Sequence, residues 1–438
     1  MIQAFLLAHR SKVGRPRCLT KLSGLTLAER AVKMLRYQGI EQVKVVVQRR
    51  SGVREHLDPY SENMQIAFCE LEPENLESDM EVLHRLRASL PEQFLVLRAD
   101  FVYDARVLKE VISADATTLA VGSRAPSPGE QLCTPNGIET YHYGLSLLSR
   151  GFVKKEGQSW EVSDSVLSKD FLEHLKQEGV AHLLRLDEMP TYLVNLRRAL
   201  PVACFTVESN SDVQLGEHIL MDATQKGTLD FPAQYIHPIP ENWITRCLLD
   251  TPITPNIVTM VSNMLAFLGV WLFWEGEMRL GIACALAVGV LDGVDGKLAR
   301  LKLMYSRFGD KLDHVLDLIY EPLWYLAIGE FLSRGTGYSD MTSVHVSIGI
   351  VALYFLDRIA TGGFKLIKKI ELFDFSRVDR LVRKLGARRN TNVLLLLVGV
   401  GVGEVTGLLW VILILTIATT LFHCFRAVQL GLRTEIKS

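Results

Sequence analysis

The chain has 438 residues, enough for two or three domains, and its 48 basic and 49 acidic residues leave a formal net charge of −1. The chain therefore lacks the excess of basic residues that would indicate a nucleic-acid partner. Seven scattered cysteines without a Cys-x-x-Cys pair argue against a zinc site or a disulfide framework and are typical of a reducing cytosol.

The first half, residues 1–235, predicts a soluble α/β domain. Apolar strand-like runs and a helical pattern alternate in the order 2–8, 25–38, 43–47 and 94–100. Such alternation favours a mainly parallel sheet, in which ligands bind beyond the carboxyl ends of the strands. The basic loop 9–17 and Asp100 both follow strand ends.

Residues 236–256 form a connector before the first apolar run. Its apolar side chains fall on one helical stripe: Trp243, Ile244, Cys247, Leu248 and Leu249. The stripe predicts a short amphipathic helix lying at the membrane interface. A soluble helix docked on the α/β domain is the alternative.

Residues 257–438 predict an all-α membrane domain of six transmembrane helices. The predicted spans lie near 257–275, 278–298, 311–333, 343–362, 391–408 and 409–430. Basic residues concentrate in the loop 297–311 and the connection 358–389, whereas the intervening connections carry almost none. By the positive-inside rule these segments, the N-terminal domain and the C-terminus face the cytoplasm of a bacterial or archaeal cell.

Four aspartates mark the stretch 291–317 at the edge of two apolar runs, where carboxylates are costly and indicate function. On helices, two faces would each carry an acid pair beside small residues: Asp292, Asp295, Gly296 and Ala299 on one, and Gly309, Asp313 and Asp317 on the other. Converging carboxylates repel in a low dielectric, and a hard divalent cation such as Mg²⁺ relieves that repulsion. The alternative is a solvated charged loop between two membrane helices.

The pattern Asp-x2-Asp-Gly-x2-Ala-Arg-x8-Gly-x3-Asp-x3-Asp runs from Asp292 to Asp317 with no position missing. It resembles the signature of the CDP-alcohol phosphotransferase (CDP-alcohol phosphatidyltransferase) family. The resemblance implies transfer of a substituted phosphate from a CDP-alcohol donor to an acceptor alcohol with release of CMP. It also implies two Mg²⁺ or Mn²⁺ ions, membrane lipids as partners, phospholipid or polyol-phosphodiester synthesis, and a homodimer.

The same resemblance assigns roles to individual residues. Metal binding falls to Asp292, Asp295, Asp313 and Asp317. The catalytic pair is Asp313 and Asp317, with Asp317 as the proton acceptor for the attacking hydroxyl. The nucleotide and phosphate pocket would be shaped by Gly296, Ala299, Arg300 and Gly309.

Two further arginines, Arg388 and Arg389, lie in the segment GARRNTN at the start of the fifth predicted span. They are candidates for binding the phosphate of a substrate opposite the aspartates. The alternative for the whole basic connection is membrane topology together with contact to lipid headgroups.

The order LLA, Gly14, PRCLTKLSGLTLAERAV and FLVLRAD is similar to the sugar-nucleotide-type nucleotidyltransferases over most of residues 1–210. The resemblance implies a loop that cradles a nucleotide triphosphate and a metal-binding acid at Asp100. Only Gly14 remains in the loop, and Thr206 or Glu208 stands where a second metal acid is expected. A degenerate domain is therefore predicted, although four bases could still hold an anion: Arg10, Lys12, Arg15 and Arg17.

The domain order is that of the inositol-phosphate cytidylyltransferase and di-inositol phosphate synthase family. Three hypotheses follow. The first is a membrane phosphotransferase with a degenerate nucleotidyltransferase-like domain. The second is a bifunctional enzyme whose N-terminal half makes the CDP-alcohol from CTP. The third is a non-enzymatic membrane protein that binds or conducts cations. The position of the acids at the membrane edge argues against it, because a conduction path would place acids near the midplane of the membrane.

Overall fold

The computed structural model describes residues 2–12, 15–72, 79–131, 140–156, 166–167, 175, 179, 181–305, 307–335, 337 and 341–432, without the side chains of 12, 130–131, 154–156, 166–167 and 307–314. The chain divides into two compact units. The sheet unit comprises residues 1–192 and 199–223, and the helical unit comprises residues 193–198 and 224–438.

Eight strands form the main sheet of the sheet unit: β1 (Gln3–Leu7), β2 (Gln42–Gln48), β3 (Gln65–Leu71), β4 (Gln93–Arg98), β5 (Thr118–Gly122), β6 (Thr140–Ser149), β7 (Val166–Leu167) and β8 (His182–Arg185). Their order is β8-β5-β6-β4-β1-β2-β3, with β7 paired to β6. The sheet is mixed: β6 runs antiparallel to β4, β5 and β7, while β4, β1, β2 and β3 are mutually parallel. The parallel block brings the carboxyl ends of β1 and β4 side by side.

Helices flank this sheet: α1 (Leu27–Tyr37), α2 (Val53–Leu57), α3 (Asp79–Arg85), α4 (Ala105–Ile112), α5 (Pro128–Gln131), α6 (Arg150–Glu156) and α7 (Asn210–Ala223). The remaining pieces are two-residue strands at Ser11–Lys12, Arg15–Pro16, Lys21–Leu22, Leu25–Thr26, Phe101–Val102, Tyr192–Leu193, Arg198–Ala199 and Phe205–Thr206, and short 3₁₀ turns. Helix α1 begins with a capping box, because Thr26 Oγ1 accepts from the Glu29 N–H (3.2 Å) and the Glu29 carboxylate accepts from the Thr26 N–H (2.8 Å). The core between the layers is apolar, with the rings of Phe5 and Phe94 edge to face at 5.3 Å.

Strand β6 contains a bulge at Gly144. The register with β5 shifts between Leu119 and Val121, and Gly144 has φ +64°. The space beside it is filled by Arg98, whose Cδ would lie 2.8 Å from a Cβ at this position. Tyr103 Oη closes the bulge by donating to the Gly144 carbonyl at 2.8 Å. Glycine is therefore required here both by the backbone and by the close approach of an arginine.

Nine helices were traced in the described part of the helical unit: α8 (Phe231–Tyr235), α9 (Pro238–Leu249), α10 (Pro255–Glu275), α11 (Met278–Leu301), α12 (Arg307–Arg334), α13 (Thr342–Lys368), α14 (Arg377–Leu385), α15 (Arg389–Val402) and α16 (Val405–Gly431). Among the described residues, α10, α13 and α16 are long and apolar enough to cross a membrane. The unit therefore has candidate membrane spans, but the predicted count of six is not confirmed. Helices α11 and α12 carry the acid motif, and α15 has 14 residues.

The predicted boundaries of the last two spans, 391–408 and 409–430, are wrong. Helix α15 ends at Val402 because Gly403 adopts a left-handed conformation (φ +77°). The Glu404 N–H donates back to the Gly399 carbonyl at 2.8 Å, and α16 begins at the next residue. A local glycine turn thus overrides the continuous apolar pattern.

Helix α9 lies within the predicted connector, and it buries polar side chains while exposing apolar ones. Its buried positions are Glu241, Thr245 and Leu249, whereas Ile239 and Trp243 are 77% and 69% exposed. The buried face packs against α11. An exposed apolar face is what a helix at a membrane interface requires.

Trp324 forms the centre of the core beneath the acid motif. It is 2% exposed, and its Nε1 donates to the Ala266 carbonyl of α10 at 2.9 Å. Its ring packs on Tyr320 and on Phe273, with centroids 5.1 and 6.2 Å away. On the other side of α12, Asn392 Nδ2 of α15 donates to Tyr325 Oη at 2.8 Å. Helices α10 and α15 are thereby held against α12.

We expect Gly144→Ala to destabilise the protein more than Gly39→Ala. Both glycines have positive φ, but nothing lies within 4 Å of a Cβ at Gly39, whereas Arg98 blocks one at Gly144. The backbone strain of roughly 1–2 kcal/mol is common to both, and overpacking adds about 1–3 kcal/mol at Gly144. Thermal unfolding of the full chain in detergent measures the difference. Equal shifts of the midpoint would contradict the assigned role of Arg98.

Candidate active site

The first acid pair lies on α11, where Asp295 is held by a hydroxyl from α10. Thr259 Oγ1 donates to Asp295 Oδ2 at 2.6 Å and is also 3.2 Å from the Pro255 carbonyl one turn earlier. Thr259 is 9% exposed. No pattern in the sequence had pointed to Thr259.

Arg389 joins the two acid-bearing helices. From the first turn of α15, its Nη2 donates to Asp292 Oδ2 of α11 at 2.8 Å, and its Nη1 donates to Asp317 Oδ1 of α12 at 2.7 Å. Tyr320 Oη donates to the same Asp317 oxygen and accepts from Arg389. Two carboxylates from different helices therefore share one guanidinium, in the charge-assisted geometry that arginine favours.

The other predicted residues are placed as follows. Gly296, Ala299 and Arg300 lie on α11, where the Arg300 guanidinium folds back so that its Nη2 would be 3.0 Å from a Cβ at Gly296. Gly309 and Asp313 belong to helix α12, but side-chain contacts at these two positions lie outside what the structure describes. Among the side chains that are described, no group of three or more Asp, Glu, His or Cys is placed to hold one metal ion.

The available donors nevertheless fit a hard divalent cation. Asp292 and Asp317 bind different nitrogens of the same guanidinium, and their side chains are 40% and 20% exposed, so a cation and water can reach them. All their donor atoms are carboxylate oxygens, which Mg²⁺ prefers. Arg389 balances their charge in this structure.

A cavity of about 40 Å³ adjoins this site between α12, α13, α15 and α16. Arg389 lines it, and so do both basic and acidic side chains: Glu321, Asp357, Arg358 and Arg388. Asp357 Oδ1 lies 2.5 Å from His423 Nδ1, and Arg358 Nη2 lies 3.5 Å from Glu321 Oε2. Arg388 Nε and Nη2 are buried without a hydrogen-bond partner among the described residues. Donors with no acceptor at a cavity wall favour an anionic ligand.

The sheet unit contains a second polar cluster at the carboxyl ends of β1 and β4. Both oxygens of Asp100 accept from Arg98, at 3.0 and 2.8 Å, and the two residues are 2% and 5% exposed. Asp79 accepts twice from Arg10 at 3.2 Å. Burial would raise the pKa of Asp79, but Arg10, Arg98 and His9 outweigh it and lower that pKa. The acids of this cluster are thus balanced by arginines of the same cluster.

Other residues expected to bind nucleotide in this unit are also engaged. Arg17 pairs with Glu208 at 2.8 Å, and Thr206 Oγ1 donates to the Asp100 carbonyl at 3.0 Å. Gly14 and the Lys12 side chain lie outside the described residues, and Arg15 is exposed. A divalent cation at Asp100 would have to displace the Arg98 guanidinium, so these residues do not fit a resident metal ion.

We expect Thr259→Val to weaken Mg²⁺ binding by roughly ten- to a hundredfold, the range found for residues that orient metal ligands. The substitution keeps the side-chain shape but removes the hydroxyl that orients Asp295. Isothermal titration calorimetry of the detergent-solubilised chain measures the effect. Thr259→Ser retains the hydroxyl and is the matched control, and equal Mg²⁺ affinity in the two variants would refute the role of Thr259.

Comparisons with known proteins relate the helical unit to a known family. Residues 252–422 match the model of the CDP-alcohol phosphatidyltransferase family. The chain is 27% identical over 340 residues to the bifunctional IPC transferase and DIPP synthase of Rubrobacter xylanophilus, covering 74% of this chain and 76% of that protein. It is 21% identical over 413 residues to the protein of the same name from Aquifex aeolicus, covering 92% and 90%.

Among solved structures, the chain is similar to the inositol-1-phosphate CTP transferase from T. maritima, with 14% identity, a TM-score of 0.35, and coverage of 50% of this chain and 96% of that one. The acid motif and the two helices that carry it lie within the matched residues 252–422. Residues 252–422 therefore match the CDP-alcohol phosphatidyltransferase family, and this match supports a membrane phosphotransferase.

Proposed function

We propose that the helical unit transfers a polyol-linked phosphate from a CDP-alcohol to a phosphorylated polyol and releases CMP on the cytoplasmic side of the membrane. The observation that carries this proposal is the bridge from Arg389 to Asp292 and Asp317, because it brings the two halves of the acid motif to one point. The concentration of basic residues in 297–311 and 358–389 supports the orientation.

In this proposal the four motif aspartates hold Mg²⁺ or Mn²⁺, with two ions expected: Asp292, Asp295, Asp313 and Asp317. Bound divalent ions would stabilise charge on the entering and leaving oxygens of phosphoryl transfer. Asp317 accepts the proton of the attacking hydroxyl, and Tyr320 and Arg389 hold its carboxylate in orientation. Arg300, next to Gly296 on the same helix, contacts the donor diphosphate.

The adjoining cavity is proposed as the acceptor site. Arg358, Arg388 and Arg389 supply three guanidiniums for a phosphate. Arg388 Nε and Nη2 are buried donors without a hydrogen-bond partner among the described residues. Asp357 and Glu321 supply carboxylate oxygens for hydroxyl groups of a polyol. The relatives named IPC transferase and DIPP synthase favour inositol-type groups on both substrates.

We further propose that the sheet unit does not make the CDP-alcohol. Asp100, the acid in the metal-binding position, is fully engaged by Arg98. The donor would then come from a separate reaction in which a cytidylyltransferase condenses CTP with a phosphate monoester. A homodimer remains a prediction from the resemblance alone.

A donor and acceptor screen of the purified chain, scored by CMP release, tests the main proposal. We expect Mg²⁺-dependent release with CDP-inositol and an inositol phosphate, and a loss of about 10³-fold or more in Asp317→Asn, because that variant lacks the proton acceptor.

Glu330→Gln is the matched control, since Glu330 lies on the same helix in an i,i+4 pair with Arg334. Substantial turnover by Asp317→Asn would refute the assignment. Mg²⁺-dependent ion flux without CMP release would favour a cation path.

Incubation of the full chain with CTP, Mg²⁺ and inositol or glycerol phosphates tests the second proposal. We expect no pyrophosphate, because both oxygens of the buried Asp100 are bound to Arg98 and a cation would have to displace that guanidinium. The same preparation must release CMP when CDP-inositol is supplied, which shows that it is active. Pyrophosphate release that disappears in Asp100→Asn would establish a bifunctional enzyme instead.

A further inference from the structure

Helix α11 presents a second face to the connector helix α9. The positions on this face are four residues apart, at Gly289, Gly293 and Lys297, and they alternate along the helix with Asp292 and Asp295. Every contact on this face therefore lies within a few residues of a motif aspartate.

The two glycines allow polar side chains to reach the backbone of α11. A Cβ at Gly293 would lie 2.2 Å from Glu241 Cδ, and one at Gly289 would lie 2.7 Å from Asn390 Oδ1 and 2.9 Å from His237 Cε1. Glu241 thus occupies a notch directly beside Asp292. Any larger residue at Gly293 would push that carboxylate away.

One turn further along, Lys297 fastens the same carboxylate. Its Nζ lies 2.9 Å from Glu241 Oε2 and 2.6 Å from Asn242 Oδ1. Lys297 and Glu241 are 2% and 4% exposed, so the pair is shielded from water. A buried pair of this kind has a narrow range of acceptable geometry, because either charge alone would be unbalanced.

We propose that Glu241 is a positioning residue for the divalent-cation site. Acting through Lys297 and the notch at Gly293, it fixes the rotation and height of α11, and hence of Asp292 and Asp295, relative to α12. The inference rests on the proposed function, since it takes those two aspartates as metal ligands.

The rest of α9 fits this role. Its opposite face exposes Ile239 and Trp243, which suit the apolar boundary of a bilayer. Lys302, just past the end of α11, donates to the carbonyls of Thr251 and Ile253 at 2.7 and 3.0 Å, which holds the exit of α11 to the segment after α9. The helix is thus a clamp with polar contacts on α11 and an apolar face turned outward.

The test is Mg²⁺ binding by isothermal titration calorimetry, together with Mn²⁺ binding by electron paramagnetic resonance, on the full chain in detergent. Glu241→Gln keeps the shape but weakens the bond to Lys297, so we expect the dissociation constant to rise roughly tenfold or more. The Mg²⁺ concentration for half-maximal CMP release should rise in parallel, with a smaller change in kcat.

Asp379→Asn is the matched control, because Asp379 is 1% exposed and forms an ion pair with Arg426 at 2.7 Å on helices α14 and α16. Its Mg²⁺ affinity should equal that of the unmodified chain. If both variants lose affinity alike, or if Glu241→Gln loses none, the positioning role is wrong.

The double variant Glu241→Leu/Lys297→Met covers the case in which Glu241→Gln does not fold, since an apolar pair of similar size commonly preserves folding. It should fold and still bind Mg²⁺ weakly, and full affinity would overturn the proposal. Asp292→Asn separates the two levels of inference. If that variant binds Mg²⁺ normally, the metal site itself is misassigned, whatever the result for Glu241.

Discussion

The helical unit is organised around the need to balance carboxylates at the edge of an apolar bundle. Two acid-bearing helices cannot approach closely unless positive charge lies between them. Arg389 supplies that charge in this structure, with one guanidinium nitrogen on Asp292 and the other on Asp317. The cavity beside it is lined by the same arginine, so the carboxylate site and the pocket share a wall.

Close helix packing makes this arrangement possible. Trp324 ties α10 to α12, and Asn392 ties α15 to α12 one turn after Arg389. The glycines of α11 serve the opposite side, where they admit Glu241 and Asn390 to the helix surface. The acid motif is thus supported by aromatic packing within the bundle and by polar contacts from the connector and from α15.

In the sheet unit, carboxylates are also balanced by arginines. Its partly exposed Asp79 and buried Asp100 are balanced by arginines of the same cluster, Arg10 and Arg98. At the bulge, Gly144 has no side chain, and Arg98 occupies the space beside it, so the strand geometry holds the arginine in place. In the helical unit Asp292 and Asp317 are 40% and 20% exposed beside a cavity, whereas the Asp100 side chain of the sheet unit is 3% exposed.

The sequence by itself determined what depends on local periodicity: the α/β and helical halves, the helices that carry the acid pairs, and the register of Asp292 with Asp295. The sequence suggested Arg389 as a candidate opposite the aspartates, but only the structure identifies its partner Asp292, 97 residues away, and pairs Thr259 with Asp295, 36 residues away. The same holds for the Glu241–Lys297 pair and for the Arg98–Asp100 pair, in which a bulge fixes the arginine. Helical spacing is a property of neighbouring residues, whereas charge balance depends on which distant segments the fold brings together, and no pattern along the chain records that.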